Sequence, residues 1–230
     1  MIKTSSFVIK NHNFREADRI YTVYTEELGK ISLLVRSARK IKSKLAPGLE
    51  NFDEVRLNFI KGRIFNHLAG WSTVTRNNLI LKDSNKVVVS YECLSLLDKF
   101  VKPEEKDENI FNLLREVFTV INSASATDHK KINIYFFWKL IDFLGYRPQL
   151  DKCALCGTIL REEGESFFNI TDNIIIGRKC AGGGILVKHG TLDNLRKIFV
   201  LDLKKFLELE LDNQLLGITN KAKQIKLSEL

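Results

Sequence analysis

The sequence predicts an α+β protein. A basic five-stranded β-barrel comes first, and a helical body with a cysteine- and glycine-rich insertion follows. Three observations predict it. Residues 1–80 hold short runs of β-branched and aromatic residues, with glycine at the turns between them. After residue 76 the apolar residues recur at helical spacing. Between residues 151 and 190 that spacing is lost, and Cys and Gly accumulate.

The elements follow in order. Residues 7–10 (FVIK) and 20–25 (IYTVYT) read as strands. Residues 27–30 (ELGK) read as a turn, with 31–35 (ISLLV) as the hairpin partner. Residues 52–60 alternate apolar and polar with one slip at 53–54, which suits a bulge. Residues 61–63 (KGR) turn the chain into a fifth strand over 64–71. Five short strands in about 70 residues suggest a small closed barrel. An OB-fold is the natural candidate, and barrels of that type commonly bind oligonucleotides. The fold alone proves no function.

Residues 86–101 follow as a helix with Val87, Tyr91, Leu94, Leu97 and Val101 on one face. The segment 102–106 breaks it. A second helix covers 109–122, with Phe111, Leu114, Val117, Phe118 and Ile121 inward. A third covers 130–144, N-capped by Asp128 and ended by Gly145 and Pro148. Residues 191–216 resume a helical pattern in two pieces, before a polar, Lys-rich tail. The expected domains are therefore 1–76 (barrel) and 77–230 (helical), with 151–190 inserted in the second. The expected core includes Tyr91, Leu94, Leu97, Phe111, Leu114, Phe118, Phe136, Phe137 and Leu140. Cys93, on an apolar helix, reads as plain core. The barrel aromatics Phe7, Tyr21, Tyr24, Phe52, Phe59, Phe65 and Trp71 read mostly as core, with one or two left as platforms for stacking bases.

Charge is unevenly placed. Residues 1–80 carry 14 Lys and Arg against 7 Asp and Glu, a net of +7 out of the chain's +8. Arg36, Arg39, Lys40, Lys42 and Lys44 fall within nine residues, with no acid between Leu28 and Leu49. A field so concentrated attracts polyanions. The acidic partner is a nucleic acid, a phospholipid surface or an acidic protein tail. A charge run is also commonly a solvated loop, but five like charges repel, and phosphates relieve that repulsion. Lys61 and Arg63 lie in a turn where OB loops reach ligand. Arg15 and Arg19 flank Glu16 and Asp18, and the four are expected to pair with one another. Arg19 is a weaker candidate for phosphate contact than Arg39.

The N-terminus lacks the apolar stretch of a secretory signal, and no segment is long and apolar enough to span a bilayer. A soluble intracellular protein is the default expectation, and no membrane partner is expected. Thiols there stay reduced, so a close cysteine pair reads as metal-binding or redox-active. Cys153 and Cys156 form half of a metal knuckle, and Gly157 lets the backbone turn. Cys180 supplies a third ligand. Gly177 stands where a fourth is expected, and structural zinc takes four. Two readings stay open: His189 completes the set, or the knuckle keeps its shape without zinc.

Enzyme readings fare poorly. His12, His67, His129 and His189 show no ligand or base spacing, and neither a phosphate-binding loop nor a nucleophile elbow occurs. Asp53 and Glu54 are adjacent on a strand and point to opposite faces. The expectation is a protein that acts by binding and has no catalytic residues.

Several segments together resemble the bacterial recombination mediator family RecO. They are NFREADRI at 13–20, YT at 24–25 with LGKI at 28–31, RSARK at 36–40, and, most specific, LGYRPQLDKCALCG at 144–157. Gly182, Gly183 and Gly184 lie near that family's glycine-rich turn. The resemblance implies an OB-fold, a helical domain and a zinc-finger-like insertion. It implies a role in recombinational repair: binding single- and double-stranded DNA, annealing strands, and helping load the recombinase RecA onto DNA coated by single-strand-binding protein. RecR and the acidic C-terminal tail of single-strand-binding protein are the implied partners, and a cytoplasmic, nucleoid-associated location follows. Arg115 and Lys139 are candidate basic edges for that tail. The chain departs from the family pattern at Gly177, where many members carry a cysteine. Two other readings remain. One is an adaptor whose basic patch docks an acidic protein tail and no DNA. The other is a zinc-ribbon transcription factor, which needs a fourth ligand.

Overall fold

The computed structural model describes residues 1–40, 49, 52–124, 129–160 and 165–228. Lys42, Lys44 and Asp128 lie outside the described residues. The described chain forms two compact units, 1–126 and 127–230.

In the first unit, β1 (Ile2–Phe14), β2 (Asp18–Thr25), β3 (Gly29–Val35), β4 (Glu54–Ile60) and β5 (Asn66–Thr75) close into a barrel in the order β1-β2-β3-β5-β4. Antiparallel pairing of β1 with β4, from Ile2 opposite Phe59 to Phe7 opposite Glu54, completes the ring. β3 and β5 meet in parallel at Leu33–Asn66 and Leu34–His67. This is the OB-type barrel expected. The β4–β5 register shifts between Glu54 and Val55, beside the slip seen in the alternation, and again between Asn58 and Phe59.

Alternation explains the barrel's two apolar layers. Val8, Tyr21, Val23, Leu33, Val55, Leu57 and Phe59 fill the interior. Phe7 and Phe52 belong to the second layer. Phe7 meets the rings of Phe111 and Phe118, and Phe52 meets Phe118. Those partners lie on α2 (Glu108–Ser123), which with α1 (Ser84–Phe100) completes the unit. β1 is therefore buried on both faces from Thr4 to Ile9. Polar residues at 3–6 and 11–13 flank its apolar run, so pattern reading found only residues 7–10 of a 13-residue strand. Ser6 is buried with its hydroxyl donating to the Val55 carbonyl, 3.1 Å away.

Asp83 and Asp107 cap α1 and α2, each accepting from two backbone amides of the first turn. Tyr24 donates its hydroxyl to the Asp107 carbonyl at 3.2 Å, and burial pushes its ionisation upward. The buried face of α1 is Val89, Ser90, Cys93, Leu94, Leu96, Leu97 and Phe100; of the expected stripe Leu94, Leu97 and Val101 are buried, while Val87 and Tyr91 are not. Tyr91 is 46% exposed, with its ring edge-on to Phe52 at 5.0 Å. It sits at the border of the core, and the expectation that it is buried is corrected. Cys93, Leu94, Leu97, Phe111, Leu114 and Phe118 are buried as expected.

The second unit is built on α3 (His129–Phe143), which buries Phe136, Phe137, Trp138 and Leu140. Against it pack α4 (His189–Val200), α5 (Leu203–Leu207) and α6 (Asn213–Ser228). The Trp138 indole donates to Thr219 of α6 at 3.0 Å. The polar tail expected after residue 216 is in fact most of α6. Thr219 and Ala222 bury one side of it, while its lysines hide that stripe from a composition reading. Between α3 and α4, β6 (Ser166–Asn169), β7 (Ile174–Gly177) and β8 (Ile185–Val187) form a small sheet in the order β7-β6-β8. These strands are three or four residues long, too short for a period to register.

Candidate nucleic-acid interface and cysteine knuckle

Three connections of the barrel meet at one rim. The first is the turn at residues 15–17, between Phe14 and Asp18, which pair across β1 and β2. The second is the chain after β3. There Val35 lies opposite Arg19, the Ser37 amide donates to the Asp18 carboxylate at 2.7 Å, and the Arg39 amide donates to the Ala17 carbonyl at 3.0 Å. The Arg39 guanidinium adds a bond to the Glu16 carbonyl at 3.0 Å. The third connection is residues 61–65, between β4 and β5. Its Phe65 ring meets Phe14 edge-on at 5.5 Å.

These contacts gather the cations. Arg36, Arg39 and Lys40 are exposed beside the first turn, and Arg15 is exposed within it. Lys61 and Arg63 are exposed on the third connection. Arg19 is half-buried and donates to Asn13 at 3.2 Å. Among the described residues no ion pair joins Arg15 and Arg19 to Glu16 and Asp18, so that expectation is corrected. Asp18 instead accepts from the Ser37 amide in the connection after β3, and Arg15 lies over the Phe14 ring, 5.1 Å from its centre. Sequence reading weighed Arg15 only as an ion-pair partner and gave Phe14 no role. In the structure Arg15 takes φ +54°, a left-handed conformation in a tight turn, where a non-glycine residue is uncommon. Ser37, at +55°, repeats it in the neighbouring connection.

Arg115 and Lys139 both make contacts within the chain. Arg115 holds buried Glu54 with two bonds, Nε at 2.9 Å and Nη2 at 2.8 Å, and lies over the Phe111 ring. Glu54 holds that guanidinium charged even above its ordinary range. Lys139 donates to the Phe199 carbonyl at 3.4 Å and lies over Tyr135. Asp53, beside Glu54 in sequence, accepts from the Asn77 amide at 2.7 Å.

In the second unit the sulfurs of Cys153, Cys156 and Cys180 all lie within 4.8 Å of one another. The knuckle is made locally: the Cys153 amide donates to the Thr158 carbonyl at 2.8 Å, and the Gly157 amide returns to the Cys153 carbonyl at 2.9 Å. Gly157 takes φ +70°, which glycine adopts freely. Cys180 comes from a short 3-10 turn at Arg178–Cys180. The Gly177 amide, with those of Cys156 and Leu155, draws the Cys153 thiol down to about 6. Sharing the site with Cys156 and Cys153 pushes Cys180 up to about 11. Three converging sulfurs, one of them stabilised as thiolate, suit zinc in donor chemistry but supply one ligand fewer than a closed site. His189 does not join this group of three. A Cβ on Gly177 would stand 3.8 Å from that of Cys153, so a side chain at that position borders the cluster.

The fold and sites define a two-unit protein: an OB-type barrel with a cationic rim, and a helical unit bearing a three-cysteine knuckle. The family model described as Recombination protein O N terminal matches residues 1–75, and Recombination protein O C terminal matches residues 82–219. The chain belongs to the RecO family. The DNA repair protein RecO of Roseiflexus sp. (strain RS-1) is 31% identical over 180 residues, covering 78% of this chain and 62% of that protein. That of Thermoanaerobacter sp. (strain X514) is 28% identical over 174 residues, 74% of this chain and 67% of the other. The Listeria monocytogenes serotype 4b (strain CLIP80459) protein of the same name is 28% identical over 180 residues, covering 69% of its length. The chain thus spans under two thirds of the Roseiflexus relative. Among the described residues no helix is long and apolar enough to cross a membrane.

Proposed function

We propose that this chain is a DNA-repair protein that acts by binding, without a catalytic centre of its own. Its barrel rim grips the phosphates of single- and double-stranded DNA regardless of sequence. The meeting of three cation-bearing connections at that rim carries this reading, since phosphate contacts fix position and give little sequence information. Arg36, Arg39, Lys40, Arg19, Lys61 and Arg63 are the proposed contacts, with Lys42 and Lys44 continuing the run. Neutralising the phosphates of two strands lowers the repulsion that slows their pairing, so the bound protein promotes annealing. Assistance to RecA on strands coated by single-strand-binding protein, with RecR and that protein's acidic tail as partners, follows from the family. So does work in the cytoplasm, at the nucleoid. The names of the relatives support the repair role. The two family models end at residue 75 and begin at residue 82, which supports a sequence-level division into 1–76 and 77–230, with 151–190 inserted, while α1 and α2 belong to the same compact unit as the barrel.

Cys153, Cys156 and Cys180 would hold zinc, whose contribution is to tie the knuckle together. An annealing assay tests the function. The Arg39/Lys40/Lys42/Lys44→Ala variant is expected to pair complementary strands no faster than buffer does. Wild-type rates from that variant contradict the proposal.

A further inference from the structure

The rim holds two rings that the phosphate reading does not use. Phe14 closes β1, and Phe65 ends the 61–65 connection. Both are half-buried, unlike Phe7, Tyr21, Tyr24, Phe52 and Phe59, which are fully enclosed. Both residues keep partial exposure, and their rings meet edge-to-face. Arg15 lies over Phe14, its own backbone held in a left-handed conformation. Beside them Ile64 is 83% exposed. Lys61 and Arg63 are exposed on the same connection as Phe65, and Arg36 and Arg39 are exposed on the connection bonded to the turn after Phe14. A core-only role for the rings does not require them to sit among the rim's cations.

We infer that Phe14 and Phe65, with the Arg15 guanidinium, form a platform on which unpaired bases of a single strand stack. The occupant is single-stranded nucleic acid, because charge complementarity calls for a polyanion and the flat apolar groups call for exposed π-faces. A duplex offers the phosphates but keeps its bases stacked inside. A lipid surface has no flat ring to offer, and an acidic peptide offers one only at an aromatic residue, whereas a single strand offers one at every nucleotide. Arginine planes stack on bases as aromatic rings do, so Arg15 extends the platform. The inference rests on the proposed nucleic-acid reading and adds a preference for single strands.

The test compares a thymine oligonucleotide with an abasic strand of equal length and charge. The wild type is expected to bind the thymine strand more tightly. Phe14→Leu and Phe65→Leu keep apolar bulk and lose the ring. Each is expected to weaken thymine-strand binding about five- to thirtyfold, the lower half of the range for one stacked base. Abasic-strand binding and the salt dependence should be unchanged. Equal losses on both strands, or none on either, overturn the platform. If the wild type binds both strands alike, the platform falls and the phosphate reading stands. If it binds neither, both fail. Should the leucine variants misfold, Phe14→Trp replaces them. Its added emission, above that of wild type, is expected to be quenched by the thymine strand alone, and absence of quenching overturns the inference.

Discussion

Arg115 meets Glu54 across β4 and α2, and burial decides what that pair does. The carboxylate side chain is 3% exposed and the guanidinium 40%. Removing the cation leaves a buried charge without its partner, which is costly even where the pair itself adds little net stability. Arg115→Ala is expected to destabilise the protein by about 2 kcal/mol, a figure reduced for the guanidinium's exposure. Urea unfolding reads it, and an unchanged midpoint contradicts it. Loss of tail-peptide binding in the same variant would then report on folding as well as contact. Neither partner's role was legible in sequence. Glu54 looked like the polar half of an alternating strand, and Arg115 like an exposed helix cation. Their 61-residue separation joins them only through the fold.

The β2–β3 turn shows how one element is fixed by another. Gly29 takes φ +65°, and a Cβ there would stand 2.2 Å from the Glu105 carbonyl oxygen. The Glu104 amide donates to the Lys30 carbonyl at 2.9 Å, so the turn locks onto the link between α1 and α2. Gly29→Ala strains the backbone and forces that link away. The conformation alone costs about 1–3 kcal/mol for a non-glycine residue. The variant should unfold at lower urea, and a wild-type midpoint would contradict this. The turn itself was readable, since Gly follows a strand-like run. The contact with residues 103–105 was not, because nothing local marks it. The same limit applied to the small sheet β6–β8, whose strands are too short for a period, and to α6, whose buried stripe lies among lysines.

For the molecule as a whole, the barrel-then-helices order was legible because periodicity changes near residue 76, and the cationic front third was legible by counting charges. The rim's assembly was not. It depends on Phe14 reaching Phe65 and on Arg39 folding back to Glu16 and Ala17, contacts that barrel closure creates. The cysteine trio was legible from spacing, whereas His189, the candidate fourth ligand, lies outside it.

The decisive measurement is the affinity of the purified chain for an arbitrary single-stranded oligonucleotide across a salt series. Neutralising about five phosphates should give a log–log slope near −3.5, the same for a second, unrelated sequence. No binding in dilute buffer, or binding indifferent to salt, would show that the cationic rim does not grip phosphates.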